Sequence, residues 1–427
     1  MLDGHPRWRS GPANRRQPRR RSPSAQQRSA RVGHPVPRDL FYREGVPTPR
    51  TSDGQLSLGI YLPITGEGAA LGNPMVEAAK TAVEEINQTG GILGKPVRVE
   101  VLDEAAALGP DQLLTDGIDA IIGPASSRVA LSHLSKAVDA ENGAVVCSPS
   151  ATALALDRFP DNGLFFRTVP SDSLQMAMLA RLVRQTGLSK IAVAYLDDPY
   201  GRDLKSAFLS EATSSSLAVI SSVGFSGDEE NLVPLATRIA NAQPEVIVVL
   251  GDADDGSRFL GALDQATQSS SRRPRVLVND SIRARRQVLA NLSPAFRRAL
   301  TGVAPSATTG EETDGLFTAH AVDCVNLIAL AALVTGSDDP GTIASAIPSV
   351  ADDGRRCTGF IDCLGDNEAG LNIDYDGLSG PVGLRNSTGD PRQAYFDTFN
   401  FDDQGNEINT SRVLFTDTVD RAEARGL

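Results

Sequence analysis

The sequence predicts an α/β chain built from two doubly wound parallel sheets in series. Short apolar runs rich in Val, Ile and Leu alternate with helical segments, which is the pattern of parallel strands joined by crossover helices. Each run is closed by a cluster of Gly, Pro, Ser, Thr or Asp, the residues of connecting loops. At 427 residues the chain exceeds what one hydrophobic core comfortably fills, and 41% apolar with 22% charged residues is an ordinary globular mix.

The elements follow in order. Leu56–Leu62 reads as a strand closed by Pro63 and Gly66. Asn73-Pro74 is expected to open a helix in which Met75, Val76, Ala79, Val83 and Ile86 recur at three- and four-residue spacing, ended by Gly90-Gly91. Val97–Leu102 is the second strand and runs into Asp103-Glu104. Further strands are read at Ala120–Ile122, Gly143–Cys147, Ile191–Tyr195, Leu217–Val223, Val246–Leu250 and Val276–Val278.

In an open parallel sheet, ligands bind beyond the carboxyl ends of the strands, where loops expose backbone groups and helix N-termini. After the first set of strands come Thr65-Gly66, then Gly123-Pro124-Ala125-Ser126-Ser127, then Ser148-Pro149-Ser150-Ala151-Thr152, all rich in hydroxyls. After the second set come Asp197-Asp198-Pro199-Tyr200-Gly201, then Gly251-Asp252-Ala253-Asp254, then Asn279-Asp280, which are acidic with one Tyr. Two facing half-sites of this kind suit a small zwitterion, its carboxylate on hydroxyls and amides and its ammonium on an Asp.

Over about residues 55–415 the chain resembles the type I periplasmic substrate-binding proteins of the leucine/isoleucine/valine-binding kind, which serve ABC transporters. The resemblance rests on eight matches in order: Leu62-Pro63-Ile64-Thr65-Gly66; Ala82-Val83-Glu84-Glu85-Ile86-Asn87 into Gly90-Gly91-Ile92-Leu93-Gly94; Ile122-Gly123-Pro124; Ser148 to Thr152; Phe166-Arg167-Thr168; Pro199-Tyr200-Gly201; Ala321 to Leu327; and Asp374 to Val382. It implies two α/β lobes joined by three crossover segments, near Val169, Ala304 and Gly380, that close on a ligand. Lobe I would comprise residues 54–170 and 305–380, and lobe II residues 171–304 and 381–420, with a tail at 421–427.

Carried over by position, Ser127, Ser150 and Thr152, with Ser126 beside them, match the carboxylate-binding residues, while Tyr200 and Asp280 match those of the second lobe, Asp280 in the ammonium place. Leu71 and Asp252 stand where the leucine-binding protein has cleft Tyr residues, and Arg128 follows the serine pair, so the pocket is expected to be less aromatic and more charged. The implied partners are a small ligand of the amino-acid class and an ABC permease, in an extracytoplasmic location. A sensing module with the same fold is the alternative, although neither end of the chain is read as carrying a transducing or DNA-binding segment.

Residues 1–50 hold twelve Arg against Asp3, Asp39 and Glu44, a charge of +9, and eight of the 26 Pro. Such a segment, taken here as 1–53, is expected to be disordered, because it cannot bury enough surface to offset its ordering entropy. No apolar core or Cys follows the basic stretch, so neither a secretory signal nor a lipid-attachment site is read. The rest carries −21, which opposes nucleic-acid binding. Contact with a membrane would then come only through the partner or an anchor not seen in the sequence. No stretch approaches a membrane span, the longest apolar one, Val322–Val334, being interrupted by Asp323 and Asn326.

No enzyme is read, since a nucleophile beside a base, a metal-ligand spacing and a cofactor loop are all missing. Gly66-x-Gly68 with Gly72 departs from the dinucleotide spacing and lacks its acidic partner, so no cofactor is expected. Asp252, Asp254 and Asp255 are read as solvated loop carboxylates in place of a metal site. Cys357 and Cys363, with five residues between them, are expected to close a small disulfide in an oxidising compartment. Cys147 and Cys324 each lie in an apolar run and are read as buried small hydrophobes.

Overall fold

A computed structural model describes residues 52–66, 68–106, 109–139, 143–270, 273–306, 315–352 and 354–416. The segment read as disordered, apart from its last two residues, and the C-terminal tail lie outside the described residues. The first half contains β1 (Ser57–Leu62), α1 (Ala69–Gln88), β2 (Arg98–Asp103), α2 (Asp111–Thr115), β3 (Ala120–Ile122), α3 (Ser127–Ala137), β4 (Val145–Ser148) and β5 (Phe165–Arg167). These strands form one parallel sheet in the order β2-β1-β3-β4-β5. The interior strand β1 is buried along its whole length and the edge strand β2 is not, as expected for a sheet covered on both faces.

The chain then builds α4 (Asp172–Gln185), β6 (Lys190–Leu196), α5 (Pro199–Ser214), β7 (Ala218–Phe225), α6 (Val233–Asn241), β8 (Val246–Leu250), α7 (Ala253–Thr267), β9 (Arg275–Val278), α8 (Arg286–Ala290), α9 (Pro294–Arg297) and β10 (Leu300–Pro305). It next crosses back to α10 (Thr318–Thr335), α11 (Pro340–Val350), β11 (Arg355–Cys357), α12 (Phe360–Glu368), β12 (Ile373–Gly377) and β13 (Gly380–Pro381), and ends in the hairpin β14 (Gln393–Phe401) and β15 (Glu407–Thr416). The second sheet runs β15-β14-β10-β9-β8-β6-β7, parallel except for the hairpin, and β11-β12-β13 make a third, small sheet.

Burial sorts these elements into two bodies. Residues of α10 and α11 join the first sheet's core together with Tyr375, Val382 and Leu384, whereas Phe396, Phe399 and Phe401 belong to the cores of the second sheet. The chain therefore passes between bodies after β5, after β10, and between Asp390 and Gln393. Residues 382–391, which the crossover expected near Gly380 would have given to lobe II, stay instead with the first body, because Val382 and Leu384 join its core, Arg167 reaches Asp390 and the Arg167 backbone N–H donates to the Gly389 carbonyl. Among the described residues α10 alone is long and apolar enough to cross a membrane, yet 78% of it is buried inside the protein, as a core helix would be.

Within α10, buried Asp323 accepts the Tyr375 hydroxyl (2.8 Å), the Leu378 and Ser379 amides (2.8 Å each) and the Ser379 hydroxyl (2.6 Å), which fixes the turn between β12 and β13. Burial pushes its carboxyl up, and those four donors oppose the shift.

Two other expectations need correction. Helix α1 begins at Ala69, so Pro74 lies inside it and does not open it. The extra turn forms because Gly72 lets the helix press on the loop after β1, where a Cβ would stand 1.8 Å from the Pro63 carbonyl oxygen. Gly72→Ala is expected to cost about 2–3 kcal/mol in a denaturant melt.

Second, Cys147 and Cys324 are not separate small hydrophobes: they form a disulfide with Cα atoms 5.6 Å apart, tying β4 to α10. Cys357 and Cys363 form the other, with Cα atoms 5.2 Å apart.

Candidate functional site

The loops after β3 and β4 are laced together by their own hydroxyls. Ser148 Oγ donates to the Pro124 carbonyl (2.6 Å) and accepts the Ala151 amide (3.0 Å); Ser150 donates to the Ala125 carbonyl (3.0 Å). Ser127 Oγ accepts the Ala153 amide (3.2 Å), which leaves its own proton for another acceptor. Glu104, buried at the end of β2, takes the amides of Ala125 (2.7 Å) and Ser126 (2.8 Å). Burial pushes the Glu104 carboxyl up and the two amides oppose it. Arg128 is exposed, and its charge favours the ionised Glu104. Thr65 is tied to Asp103 (2.5 Å), a bond that holds that carboxyl below its usual range.

Behind these loops lies Arg167, fully buried, with one nitrogen 2.6 Å from both Asp157 and Asp390 and further bonds to the carbonyls of Ala151 and Ala153. Its planar fork satisfies two carboxylates and two carbonyls at once, which the point charge of Lys does not. It thereby fixes the loop that carries Thr152. The Asp172 amide donates to the Thr152 carbonyl (2.8 Å), so the first turn of α4 is set against that loop.

The second body presents its own loops. Asp198 caps α5 through the Gly201 amide (2.8 Å), and Gly201 allows the helix to sit on the last residue of β6, where a Cβ would be 2.1 Å from the Leu196 carbonyl oxygen. Tyr200, one residue earlier, lies 2.9 Å from Ser281 Oγ and accepts from Asn279 Nδ2 (3.4 Å). Asp280 accepts the Ser281 amide (2.8 Å), and the Gln175 side chain bonds to it as well. Asp252 caps α7 through the Asp255 amide (2.8 Å), a structural role, although its charge reaches Tyr200.

Thr152 and Asp280 both act on the Asp172 carboxyl, and the Tyr200 hydroxyl lies within the influence of both acids. Asp172 is fully buried, and burial first, then the neighbouring Asp280, pushes its carboxyl well up. The Thr152 hydroxyl and Arg167 favour its charged form, but neither carboxylate oxygen has a hydrogen bond of ordinary geometry. Asp280 is also pushed up by burial, and the Tyr200 hydroxyl is pushed up by burial and by both carboxylates. Ser150 lies in the same loop as Thr152, Ser126 and Ser127 lie in the neighbouring loop after β3, and Arg128 is exposed. Among the described residues no group of three or more His, Cys, Asp or Glu could hold a metal ion. Sequence reasoning missed Asp172, Gln175 and Glu104: an Asp in a helix's first turn after a Ser cap has an ordinary explanation in the helix dipole.

Two such α/β bodies, traversed three times with loops facing across the junction, are the fold of a type I periplasmic binding protein. The periplasmic binding protein family model matches residues 55–272, and the chain belongs to that family. The Leu/Ile/Val-binding protein BraC3 of Rhizobium johnstonii is 30% identical over 47% of this chain and 56% of its own length. A Leu/Ile/Val-binding protein homolog of Brucella melitensis aligns over 58% of its length, so the chain spans little more than half of these relatives. The chemotactic signal transduction system substrate-binding protein BasB of Halobacterium salinarum is 27% identical over 77% of this chain and 83% of its own. Among solved structures, the branched-chain amino acid transporter substrate-binding protein LivJ of Streptococcus pneumoniae, in complex with isoleucine, superposes with a TM-score of 0.64 at 18% identity, over 85% of this chain and all of that one. A solute-binding protein of R. palustris in complex with 4-hydroxybenzoate superposes with 0.63 at 16% identity, over 87% of this chain and all of that one.

Proposed function

We propose that this chain is a non-enzymatic solute-binding protein that closes two lobes on an amino acid or similarly small amine-bearing ligand outside the cytoplasm and delivers it to an ABC permease. The observation that carries this reading is the meeting of Thr152 from the first lobe with Asp172, Tyr200 and Asp280 at the second, where acceptors outnumber donors. The half-sites belong to separate sheets, so the ligand's contacts are complete only when the lobes are shut. Closure is then driven by the ligand's higher affinity for the shut form.

A thermal-shift screen of amino acids, amides and small polar amines is the test. A rise in melting temperature with one chemical class is expected, since a ligand at a hundred times its Kd adds about 2.7 kcal/mol. No response across the whole panel would refute ligand binding.

The relative BasB supports a second reading, in which the loaded protein reports to a receptor. Permease and ATPase genes adjoining the coding sequence would favour transport, and a transducer gene would favour sensing.

A further inference from the structure

The two half-sites are not balanced. On the first lobe, the hydroxyls of Ser148 and Ser150 donate to protein carbonyls and the Ala125 and Ser126 amides donate to Glu104, so the groups suited to a ligand carboxylate are largely engaged within the protein. On the second lobe, three buried acceptors have no hydrogen bond of ordinary geometry: both oxygens of Asp172, near which the Thr152 hydroxyl is the one protein donor, and Oε1 of Gln175, one turn further along α4. Gln175 turns its nitrogen to Asp280 and, at 3.4 Å, to the Val303 carbonyl, which leaves its oxygen beside the acids.

The charged and titratable groups around the Asp172 carboxylate are Asp280, Tyr200, Asp157 and Arg167. Of these only Arg167 is a cation, and it is already held by Asp157 and Asp390. A buried acceptor without a donor costs about 1–3 kcal/mol, more when charged, and three together within one helical turn call for a donor from outside the chain.

We propose that the cleft selects a ligand of net positive charge, whose ammonium or guanidinium group is shared between Asp172 and Asp280 with Gln175 Oε1 as a third acceptor. A zwitterion brings one cation to two carboxylates and a carboxylate to a half-site whose donors are mostly engaged. A cation with several N–H groups meets both needs. This inference rests on the solute-binding reading and narrows it.

The test is titration calorimetry of the full chain at neutral pH with agmatine, L-arginine and L-leucine. Agmatine and arginine are expected to bind at least about tenfold more tightly than leucine, and Asp172→Asn to weaken agmatine binding by at least about thirtyfold, the lower end for removing one partner of a buried charge pair. Gln175→Met, which keeps the helix and its volume, is expected to weaken it severalfold and guards against a folding defect in the first variant. Leucine binding more tightly than agmatine, or agmatine affinity unchanged in both variants, would overturn the cation preference and leave solute binding intact. No heat with any of the three, together with no response in the wider thermal-shift panel, would overturn both.

Discussion

Arg167→Leu is expected to be the most damaging single substitution on this chain, lowering stability by about 3–5 kcal/mol. The wild-type guanidinium has no exposed surface and sits 2.6 Å from each of two carboxylates, of which Asp390 is itself almost fully buried. Its removal leaves Asp390 charged and unpaired in the interior, a far larger cost than losing a surface pair. Burial already pushes the Asp390 carboxyl up despite Arg167. Without the cation that rise grows, and an Asp raised in the folded state loses stability as pH climbs from its unfolded value through its folded one. The deficit of the variant should therefore shrink as pH falls, and Asp390→Asn added to Arg167→Leu should recover part of it. Urea melts of the three proteins at neutral and mildly acidic pH measure both effects. Equal deficits at the two pH values would contradict an unpaired buried charge as the cause.

The second large effect concerns the disulfides, which should differ in weight. Cys147–Cys324 closes a loop of 177 residues and Cys357–Cys363 one of 6. In the chain-entropy view, cross-link stabilisation grows with the logarithm of loop length, giving about 5 kcal/mol for the first and about 2 kcal/mol for the second. Cys147 also directly precedes Ser148, the last residue of β4, and the Thr168 hydroxyl lies 3.5 Å from Cys324 Sγ, so the long-range pair anchors the loop that carries Ser150 and Thr152 and the first passage between lobes. Replacing Cys147 and Cys324 by alanine should lower the denaturation midpoint more than the same change at Cys357 and Cys363, and should also weaken ligand binding. A larger loss from the short loop would show that native-state packing outweighs chain entropy here.

Much of this architecture was readable from the residue order. Short, continuous Val, Ile and Leu runs bounded by turn residues, such as Val246–Leu250, read as strands buried on both faces, and the loops after them follow as a matter of connection. The post-strand placement of Tyr200 was legible because Pro and Gly flank it, and that of Asp280 because it follows Asn279 at a strand end, in agreement with the family resemblance. What stayed hidden depends on contacts distant in sequence. Nothing local distinguishes Cys147 or Cys324 from an apolar neighbour, and only the docking of α10 on β4 brings them together. The early start of α1 depends on the Pro63 carbonyl, which the Gly72 spacing does not reveal. Asp172 is ordinary as a first-turn residue, and its isolation from donors arises only when Asp280 and Tyr200 of the same lobe close around it.

Hydrogen–deuterium exchange, with and without the amino acid or amine that most raises the melting temperature, reaches the two-lobed grip itself. Amide exchange should slow together in residues 148–154 of the first lobe and in residues 198–204 and 279–283 of the second, because a shut cleft covers all three loops at once. Protection limited to the loops of one sheet, or found only elsewhere on the chain, would mean that the ligand is not held between two lobes.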